Sequence, residues 1–275
     1  MEPFSLEKAE NGVWYFSIPA FERYGGLKTF FTTRIGGVST EEFTSLNFGG
    51  YTRDLPQNVA ENRKRVMEAV GIHDYTEGFV RQVHGDRVCC IQSKDILEEK
   101  TLTINNADGI TTNLENMLLV TLHADCLPLY FFDPVKGVIA LSHAGWRGTS
   151  KYIGPKTVDK MQAEFGSDPQ DILAAIGPGI SLCCFEVGPE VYEEFWSHFP
   201  QTDRCAYRKD NGKYMMDLKK INQIQLEEAG VSEVLVSGYC TMCEDKLLFS
   251  HRRDQGRTGR MGAGMILTGG RPKGA

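Results

Sequence analysis

The stretch HADCLPLYFFDPVKGVIALSHAGWRGTS, residues 123–150, contains two apolar segments that decide how this part of the chain folds. The segments cover 127–133 and 137–143, and the turn sequence DPVKG lies at their junction. Short apolar segments on either side of a turn that contains proline and glycine are typical of an antiparallel β-hairpin. The stretch therefore predicts a hairpin with polar residues at its open end.

The register of this hairpin follows from the position of the turn. If Phe132 pairs with Val138, Cys126 lies beside Ala144, and His143 lies at the same end of the hairpin. We therefore expect the Cys126 and His143 side chains to be neighbours.

The rest of the chain shows a mixture of short strands and dispersed helices. This mixture favours an α+β fold, a layered mixed-sheet arrangement, over a regular βαβ winding. One domain over residues 1–275 is the simplest organisation, because no repeat or linker divides the chain. The sequence predicts helices at 55–70, 150–165 and 189–199, and strands at 28–34, 117–123, 233–238, 246–251 and on both sides of His84-Gly85-Asp86 within 79–92.

The composition excludes several classes of function. The net charge is −6 at a pI of about 5.6, which argues against nucleic-acid binding and against docking on an anionic membrane. The N-terminus does not resemble a signal peptide, and no apolar run is long enough to span a bilayer. We therefore expect a cytoplasmic protein whose eight cysteines are reduced thiols.

Thiolates and imidazoles are common metal ligands, so Cys126 and His143 are candidates for a metal site. One further imidazole would complete the three-ligand set of catalytic zinc. His84 is the best positional candidate, and His123 competes with it through the ligand-like spacing His123-x-x-Cys126. A second interpretation makes Cys126 a thiolate nucleophile with His84 or His143 as its base. A third is that each histidine is an ordinary surface or hydrogen-bonded core residue.

Other polar motifs carry weaker signals. Arg147, between glycines in GWRG, can bind phosphate or carboxylate through paired donors, and Arg34 is a polar residue at a strand end. The adjacent Cys183 and Cys184 are expected to be packing residues. Cys240-Thr-Met-Cys243 has the spacing of a zinc or redox motif but lacks a second pair at matching spacing, so the sequence favours no metal there.

Taken together, these motifs resemble the YfiH/YlmD-like family, also called multicopper polyphenol oxidoreductase (laccase) domain proteins. HADC-x-P and HAGWRG are specific in combination, and the similarity spans most of the chain in order. The matching segments are FTTRIGGVS (31–39), SLNFG (45–49), VRQVHG (80–85), ADG (107–109), HADCLPL (123–129), SHAGWRGT (142–149), IGPGISLCCFEVG (176–188) and FSHRRDQGRTGRMG (249–262).

The resemblance implies a layered α/β/β/α structure and a His–Cys–His metal site at His84, Cys126 and His143. It gives His123 a supporting position next to the ligands. At His251 the chain departs from the family, in which an aromatic residue precedes RRD, so no ligand contact is carried over to that position.

The activity that the resemblance implies is phosphorolysis of adenosine, inosine and methylthioadenosine to the base and ribose 1-phosphate, together with adenosine deamination. The partners are then purine nucleosides and phosphate, with zinc as the metal and copper as an alternative; the oligomeric state is left open. For deamination by zinc-bound hydroxide, Asp125 is the candidate for proton transfer. Arg147 is the preferred phosphate clamp, with Arg34 as the second choice.

Two enzymatic alternatives remain at this point. A copper-dependent polyphenol oxidase needs several coppers, which are typically held by paired His-x-His ligands, and none of the six histidines forms that pattern. A Cys–His hydrolase would use the same residues without a metal. A third hypothesis is a non-catalytic protein with a structural metal, which predicts no turnover of nucleosides or of any other substrate.

Overall fold

The structure, a computed structural model, describes residues 2–92 and 100–269. The strands are β1 (Ser5–Lys8), β2 (Trp14–Ser17), β3 (Leu27–Thr32), β4 (Thr76–Arg81), β5 (Val88–Cys90), β6 (Thr101–Asn105), β7 (Gly109–Thr112), β8 (Met117–His123), β9 (Leu127–Asp133), β10 (Val138–Ala144), β11 (Leu173–Ile176), β12 (Glu186–Val187), β13 (Ala206–Arg208), β14 (Tyr214–Met216), β15 (Glu233–Val236) and β16 (Met261–Leu267). The helices are α1 (Pro19–Glu22), α2 (Pro56–Val70), α3 (Trp146–Ser150), α4 (Ile153–Phe165), α5 (Pro189–His198) and α6 (Leu218–Glu228), and short 3₁₀ helices cover Glu41–Phe43, Pro169–Asp171 and Thr202–Arg204.

The strands form two large sheets and one small one. The first sheet has the order β1-β2-β3-β16-β8-β4-β6, and the second has the order β15-β11-β9-β10-β7-β5. The small sheet has the order β12-β14-β13. Both large sheets combine parallel and antiparallel pairs, as the predicted mixed-sheet fold requires.

Three apolar clusters show how the layers stack. Phe31 and Met265 of the first sheet meet Tyr130 and Leu141 of the second sheet in a central cluster. A second cluster packs helices α4 and α6 on the outer face of the second sheet, and a third packs α2 on the outer face of the first sheet. The predicted α/β/β/α layering is therefore confirmed. The single domain over 1–275 stays a prediction, and both ends of that range lie outside the described residues.

The predicted hairpin forms, but its register differs by one residue. Val138 pairs with Asp133 instead of Phe132. The Asp133 carboxylate accepts the backbone N–H groups of Val135 at 2.8 Å and Lys136 at 2.9 Å. Because its side chain accepts hydrogen bonds from two backbone N–H groups of the turn, Asp133 stabilises the turn while it still belongs to the strand. It forms the last residue pair of the hairpin, with Val138. The interpretation of the sequence placed Asp133 in the turn and was therefore wrong by one position.

Two further strand expectations have different outcomes. The segment around His84 does contain two strands, but β4 belongs to the first sheet and β5 to the second. The loop between them therefore passes from one sheet to the other. The strand predicted at 246–251 is wrong, because this segment forms turns and irregular backbone. None of the helices in the described part of the chain has the length and hydropathy needed to cross a membrane.

Candidate metal centre and active-site cavity

The predicted ligands lie together where the chain passes between the two large sheets. His84 is in the loop from β4 to β5, Cys126 is in the bend from β8 to β9, and His143 is near the end of β10. Their ligand atoms all lie within 4.8 Å of one another. The structure thus brings together the three residues to which the family resemblance assigned the metal site.

The bend that carries Cys126 depends on Asp125. Asp125 has a φ of +89°, which turns the chain out of β8 and into β9 on the other sheet. Its carboxylate accepts the Thr241 hydroxyl at 2.6 Å and the Arg252 backbone N–H at 2.7 Å, and its carbonyl oxygen accepts the Ile180 N–H at 2.8 Å. These contacts hold Asp125 in an uncommon conformation and attach two distant loops to the site.

Asp108 is the residue of this centre that sequence reasoning missed. Its Oδ1 lies 2.9 Å from Nδ1 of His143 and also accepts the backbone N–H of His84 at 3.0 Å. Its Oδ2 accepts the N–H groups of Val83 at 3.1 Å and Gly85 at 2.8 Å. One fully buried carboxylate therefore orients the ring of His143 and fixes the loop that presents His84. The motif ADG at 107–109 was the only sequence signal that pointed to it.

His123 is buried beside the centre, but both of its ring nitrogens have partners. Nε2 lies 2.8 Å from the Thr121 hydroxyl, and Nδ1 lies 3.1 Å from the Cys126 carbonyl oxygen. Burial lowers the pKa of His123 well below its ordinary value, and the charge of His143 adds to this effect. His123 is therefore a neutral residue that supports the Cys126 bend, in agreement with the resemblance.

Cys126 and His143 shift each other's protonation in the metal-free protein. Burial by itself raises the pKa of the Cys126 thiol, but the charge of His143 and hydrogen bonds from His143 and His84 outweigh it and lower that pKa to about 6. Burial likewise disfavours the charged His143 ring, but Cys126 and Asp108 raise its pKa to about 9. Near neutral pH the pair is a thiolate beside an imidazolium.

The packing around the three ligands leaves space for an ion. A Cβ atom on Gly145 would lie 3.0 Å from Cys126 Sγ and 3.1 Å from His84 Cδ2, so the absence of a side chain keeps this space open. His143 uses Nδ1 for Asp108, which leaves Nε2 as its ligand atom. Two imidazoles and one thiolate are a donor set that zinc prefers, so these residues fit the metal that the resemblance implies.

A cavity of about 490 Å³ opens next to the three ligands. This volume lies in the range of small-molecule sites in proteins, about 300–1,000 Å³. The wall contains aromatic rings, guanidinium groups, Asp125 and His251. The aromatic and cationic residues are Tyr51, Phe79, Trp146, Phe185, Arg81, Arg252 and Arg260.

The arginines chosen from the sequence are not among the described residues that line this cavity. Arg147 is exposed, and its guanidinium lies 4.2 Å from the ring centre of Trp146. Arg34 donates to the Thr44 carbonyl at 2.9 Å and the Asp245 carbonyl at 3.1 Å, which gives it a structural contact between two loops.

Arg260 is the arginine that the structure places in the cavity and that sequence reasoning missed. Burial lowers the pKa of Arg260, while the negative charges of Cys126 and Asp125 oppose that change. Its Nη1 donates to the carbonyls of Thr258 at 2.9 Å and Gly259 at 3.0 Å, and its side chain lines the same cavity as Cys126. Its signal in the sequence was the matching segment that contains GRTGRMG.

The chain is similar to a known protein family and to several curated proteins. Residues 28–268 match the family model described as multi-copper polyphenol oxidoreductase laccase. "Purine nucleoside phosphorylase YlmD" of Bacillus subtilis is 39% identical over 236 residues, which are 84% of this chain and 85% of that protein. "Purine nucleoside phosphorylase" of Deinococcus radiodurans is 39% identical over 85% of this chain and 86% of its own length.

Solved structures give the same result. YlmD from Geobacillus stearothermophilus has a TM-score of 0.89 at 34% identity and covers 98% of this chain and 100% of its own. The Bacillus licheniformis protein YfiH has a TM-score of 0.88 at 35% identity, with the same coverage. The chain therefore belongs to the multi-copper polyphenol oxidoreductase laccase family, to which the YlmD and YfiH proteins also belong.

Proposed function

We propose that this protein is a zinc-dependent purine nucleoside phosphorylase. It cleaves inosine, adenosine and methylthioadenosine with phosphate and releases the free base and ribose 1-phosphate. The observation that carries this proposal is the His84–Cys126–His143 ligand set at the wall of a cavity that also contains aromatic rings and guanidinium groups. The names of the curated relatives support the same reaction.

The aromatic residues of the wall are suited to a purine base. Tyr51, Trp146 and Phe185 line the cavity, and aromatic rings of this kind pack favourably against a flat heterocycle. Such a surface excludes water from the base and leaves its polar edge free to contact the hydrophilic part of the wall. We propose that the base binds there with its ribose directed toward the arginines.

The phosphate needs a cationic group inside the cavity. We propose Arg260 as the main phosphate-binding residue, because a half-buried guanidinium binds an oxyanion more strongly than an exposed one. Arg252 lines the same cavity and adds positive charge. Arg147, the sequence candidate, stacks on Trp146 and would act from the rim. Arg34 and Arg260 each donate to two backbone carbonyls, but of the two only Arg260 lines the cavity.

His84, Cys126 and His143 would hold the zinc ion, which when bound supplies a Lewis acid that stabilises developing negative charge. Asp108 keeps the His143 ring in the orientation that directs Nε2 toward the ion. Copper is the alternative metal for the same donors.

Adenosine deamination, which converts adenosine and water into inosine and ammonia, is proposed as a second activity of this cavity. Asp125 lines the cavity and is our candidate for the group that transfers the proton to the departing amino nitrogen. Thr241 and Arg252 hold its carboxylate in place. We place both reactions in the cytoplasm, where the eight cysteines stay reduced.

The proposal is tested with the purified protein, inosine and inorganic phosphate, with the products separated by chromatography. Hypoxanthine and ribose 1-phosphate should form in equal amounts, and hypoxanthine should not form when phosphate is omitted. With adenosine, adenine reports phosphorolysis and inosine reports deamination. Failure to release any base from these nucleosides with the zinc-loaded protein would contradict the proposal.

Two other activities are tested in parallel because specific observations favour them. The description of the family model favours oxidation of a polyphenol, which copper-loaded protein should catalyse with consumption of oxygen. The thiolate–imidazolium pair of Cys126 and His143 favours a Cys–His hydrolase. Such a hydrolase should be inhibited by zinc, because the ion would coordinate the nucleophile.

A further inference from the structure

A second group of possible metal ligands lies apart from the centre described above. Cys183 and Cys184 are in the loop after β11, and Cys240 and Cys243 are in the loop after β15. β11 and β15 are parallel neighbours in the second sheet, so the loops that follow them leave the same edge. The sequence interpretation did not pair Cys183-Cys184 with Cys240-Thr-Met-Cys243. The first pair consists of adjacent cysteines and therefore lacks the spacing that was sought for a second pair.

The backbones of the two loops are joined directly. Gly179 pairs with Cys240 in a parallel bridge. The Gly179 N–H donates to the Tyr239 carbonyl at 3.4 Å, and the Thr241 N–H donates to the Gly179 carbonyl at 3.2 Å. These bonds hold the two loops next to each other at Gly179 and Cys240.

The sulfur positions match a single ion better than a disulfide. All four Sγ atoms lie within 4.8 Å of one another. Cys243 Sγ lies 3.6 Å from Cys183 Sγ and 3.4 Å from Cys184 Sγ. A disulfide requires a sulfur–sulfur distance of about 2.0 Å. Four thiolates around zinc, each at about 2.3 Å in a tetrahedron, are about 3.8 Å apart.

The polar contacts next to Cys240 compensate for negative charge on its sulfur. Cys240 Sγ accepts the backbone N–H of Ser181 at 3.4 Å. The buried ammonium of Lys219 donates to the carbonyls of Ser237 at 2.8 Å and Tyr239 at 2.7 Å, directly before Cys240. A divalent ion with four thiolates keeps excess negative charge, and a buried lysine at this position compensates for part of it.

We propose that Cys183, Cys184, Cys240 and Cys243 bind one zinc ion in a closed structural site. All four positions of the tetrahedron are then occupied by protein sulfur, so this ion has no place for substrate. Cys183 and Cys243 are exposed, which gives the ion a route into the site. The proposal does not rest on the proposed enzymatic activity, because zinc binding by these four cysteines is measured without substrate.

The structural role of this ion follows from what else the two loops contact. Ile180 and Phe185, from the first loop, line the active-site cavity. Ile180 donates to the Asp125 carbonyl, and Thr241, from the second loop, donates to the Asp125 carboxylate. An ion that joins the loops would therefore fix one wall of the cavity and the bend that carries Cys126.

The test measures zinc per chain in the full-length protein, purified under reducing conditions and equilibrated with zinc. The wild type should hold about two ions, one in each cluster. The double variant Cys183→Ser/Cys243→Ser and the single variant Cys126→Ser should each lose one ion. Cys89→Ser changes a half-buried cysteine outside both clusters and should keep both ions. Zinc content in Cys183→Ser/Cys243→Ser equal to that of the wild type would overturn the proposal.

A second measurement protects the test against misfolding of the double variant. In Cys126→Ser, which keeps all four clustered cysteines, zinc-edge X-ray absorption should show only sulfur neighbours at about 2.3 Å. Nitrogen or oxygen neighbours would overturn the proposal. In the zinc-free wild type, mass spectrometry should find the four clustered cysteines as free thiols. In the zinc-bound wild type, these four thiols should be protected from alkylation. Disulfides among them that persist in the presence of zinc and reductant would overturn the proposal as well.

Discussion

Asp108 Oδ1 lies 2.9 Å from His143 Nδ1, and the two side chains are almost completely buried. Because Asp108 also accepts three backbone N–H groups from the His84 loop, one carboxylate positions two of the three proposed metal ligands. The centre therefore depends on a residue that would not touch the ion.

The variant Asp108→Asn should weaken zinc binding at this centre. The amide keeps the shape of the side chain but loses its negative charge and can no longer accept every hydrogen bond. We expect a loss of about 10–100-fold in zinc affinity, measured by competition with a chelator in the Cys183→Ser/Cys243→Ser background. Asp86→Asn alters a partly exposed carboxylate in the same loop and should leave the affinity unchanged. Equal affinities for the two variants would contradict this role of Asp108.

Cys126 in the metal-free protein should react with iodoacetamide at an unusually low pH. The thiolate is the reactive form, and His143 lowers the pKa of Cys126 to about 6, so the alkylation rate should rise with pH through about 6 and then level off. An ordinary thiol would show this rise near about pH 8.5. Peptide-resolved mass spectrometry separates Cys126 from the other cysteines.

The variant His143→Ala serves as the control for this experiment. Without the imidazolium, only burial and His84 act strongly on the thiol, so the rise should move to higher pH. A pH midpoint for Cys126 that is the same in both proteins would contradict the proposed pair.

Gly145→Ala should close the space between the ligands. The new methyl group would lie 3.0 Å from Cys126 Sγ and 3.1 Å from His84 Cδ2. The backbone at Gly145 has a φ of −75°, which alanine adopts readily, so the fold should be kept. We expect loss of zinc from this centre and of nucleoside cleavage. Gly50→Ala, where a methyl group meets no atom within 4 Å, should keep both.

Arg260→Met should raise the KM for phosphate more than Arg147→Ala does. Loss of a charge-assisted contact of about 1.5–3 kcal/mol corresponds to about 10–100-fold in kcat/KM for phosphate. Arg208→Ala, an exposed residue of β13, is the control, and thermal unfolding verifies that Arg260→Met still folds. A larger increase in the KM for phosphate in Arg147→Ala would contradict this prediction and would favour Arg147, the residue chosen from the sequence, as the phosphate-binding residue.

The hairpin and the proximity of Cys126 and His143 at its open end were predictable because apolar patterning and a strong turn signal are local features. The register was not, because it depends on hydrogen bonds that the Asp133 side chain makes within the turn. Patterning also failed at 246–251, where apolar residues pack as irregular backbone: Leu248 and Phe249 are fully buried without joining a sheet.

The remaining parts of the site depend on contacts between segments far apart in the chain. His84 was only one candidate until the resemblance selected it, and nothing in the sequence shows that Asp108 joins the His84 loop to His143 in β10. The four-cysteine cluster exists because β11 and β15 are neighbours in the sheet. Spacing within a single motif cannot reveal such an arrangement.

The central claim is that the ion at His84, Cys126 and His143 supports phosphorolysis of purine nucleosides. The most direct test measures hypoxanthine release from inosine and phosphate, together with zinc per chain, for the wild type and Cys126→Ala. The account predicts phosphate-dependent turnover by the wild type, and loss of one zinc ion together with that turnover in the variant. Unchanged turnover in Cys126→Ala, or an unchanged zinc content, would contradict it.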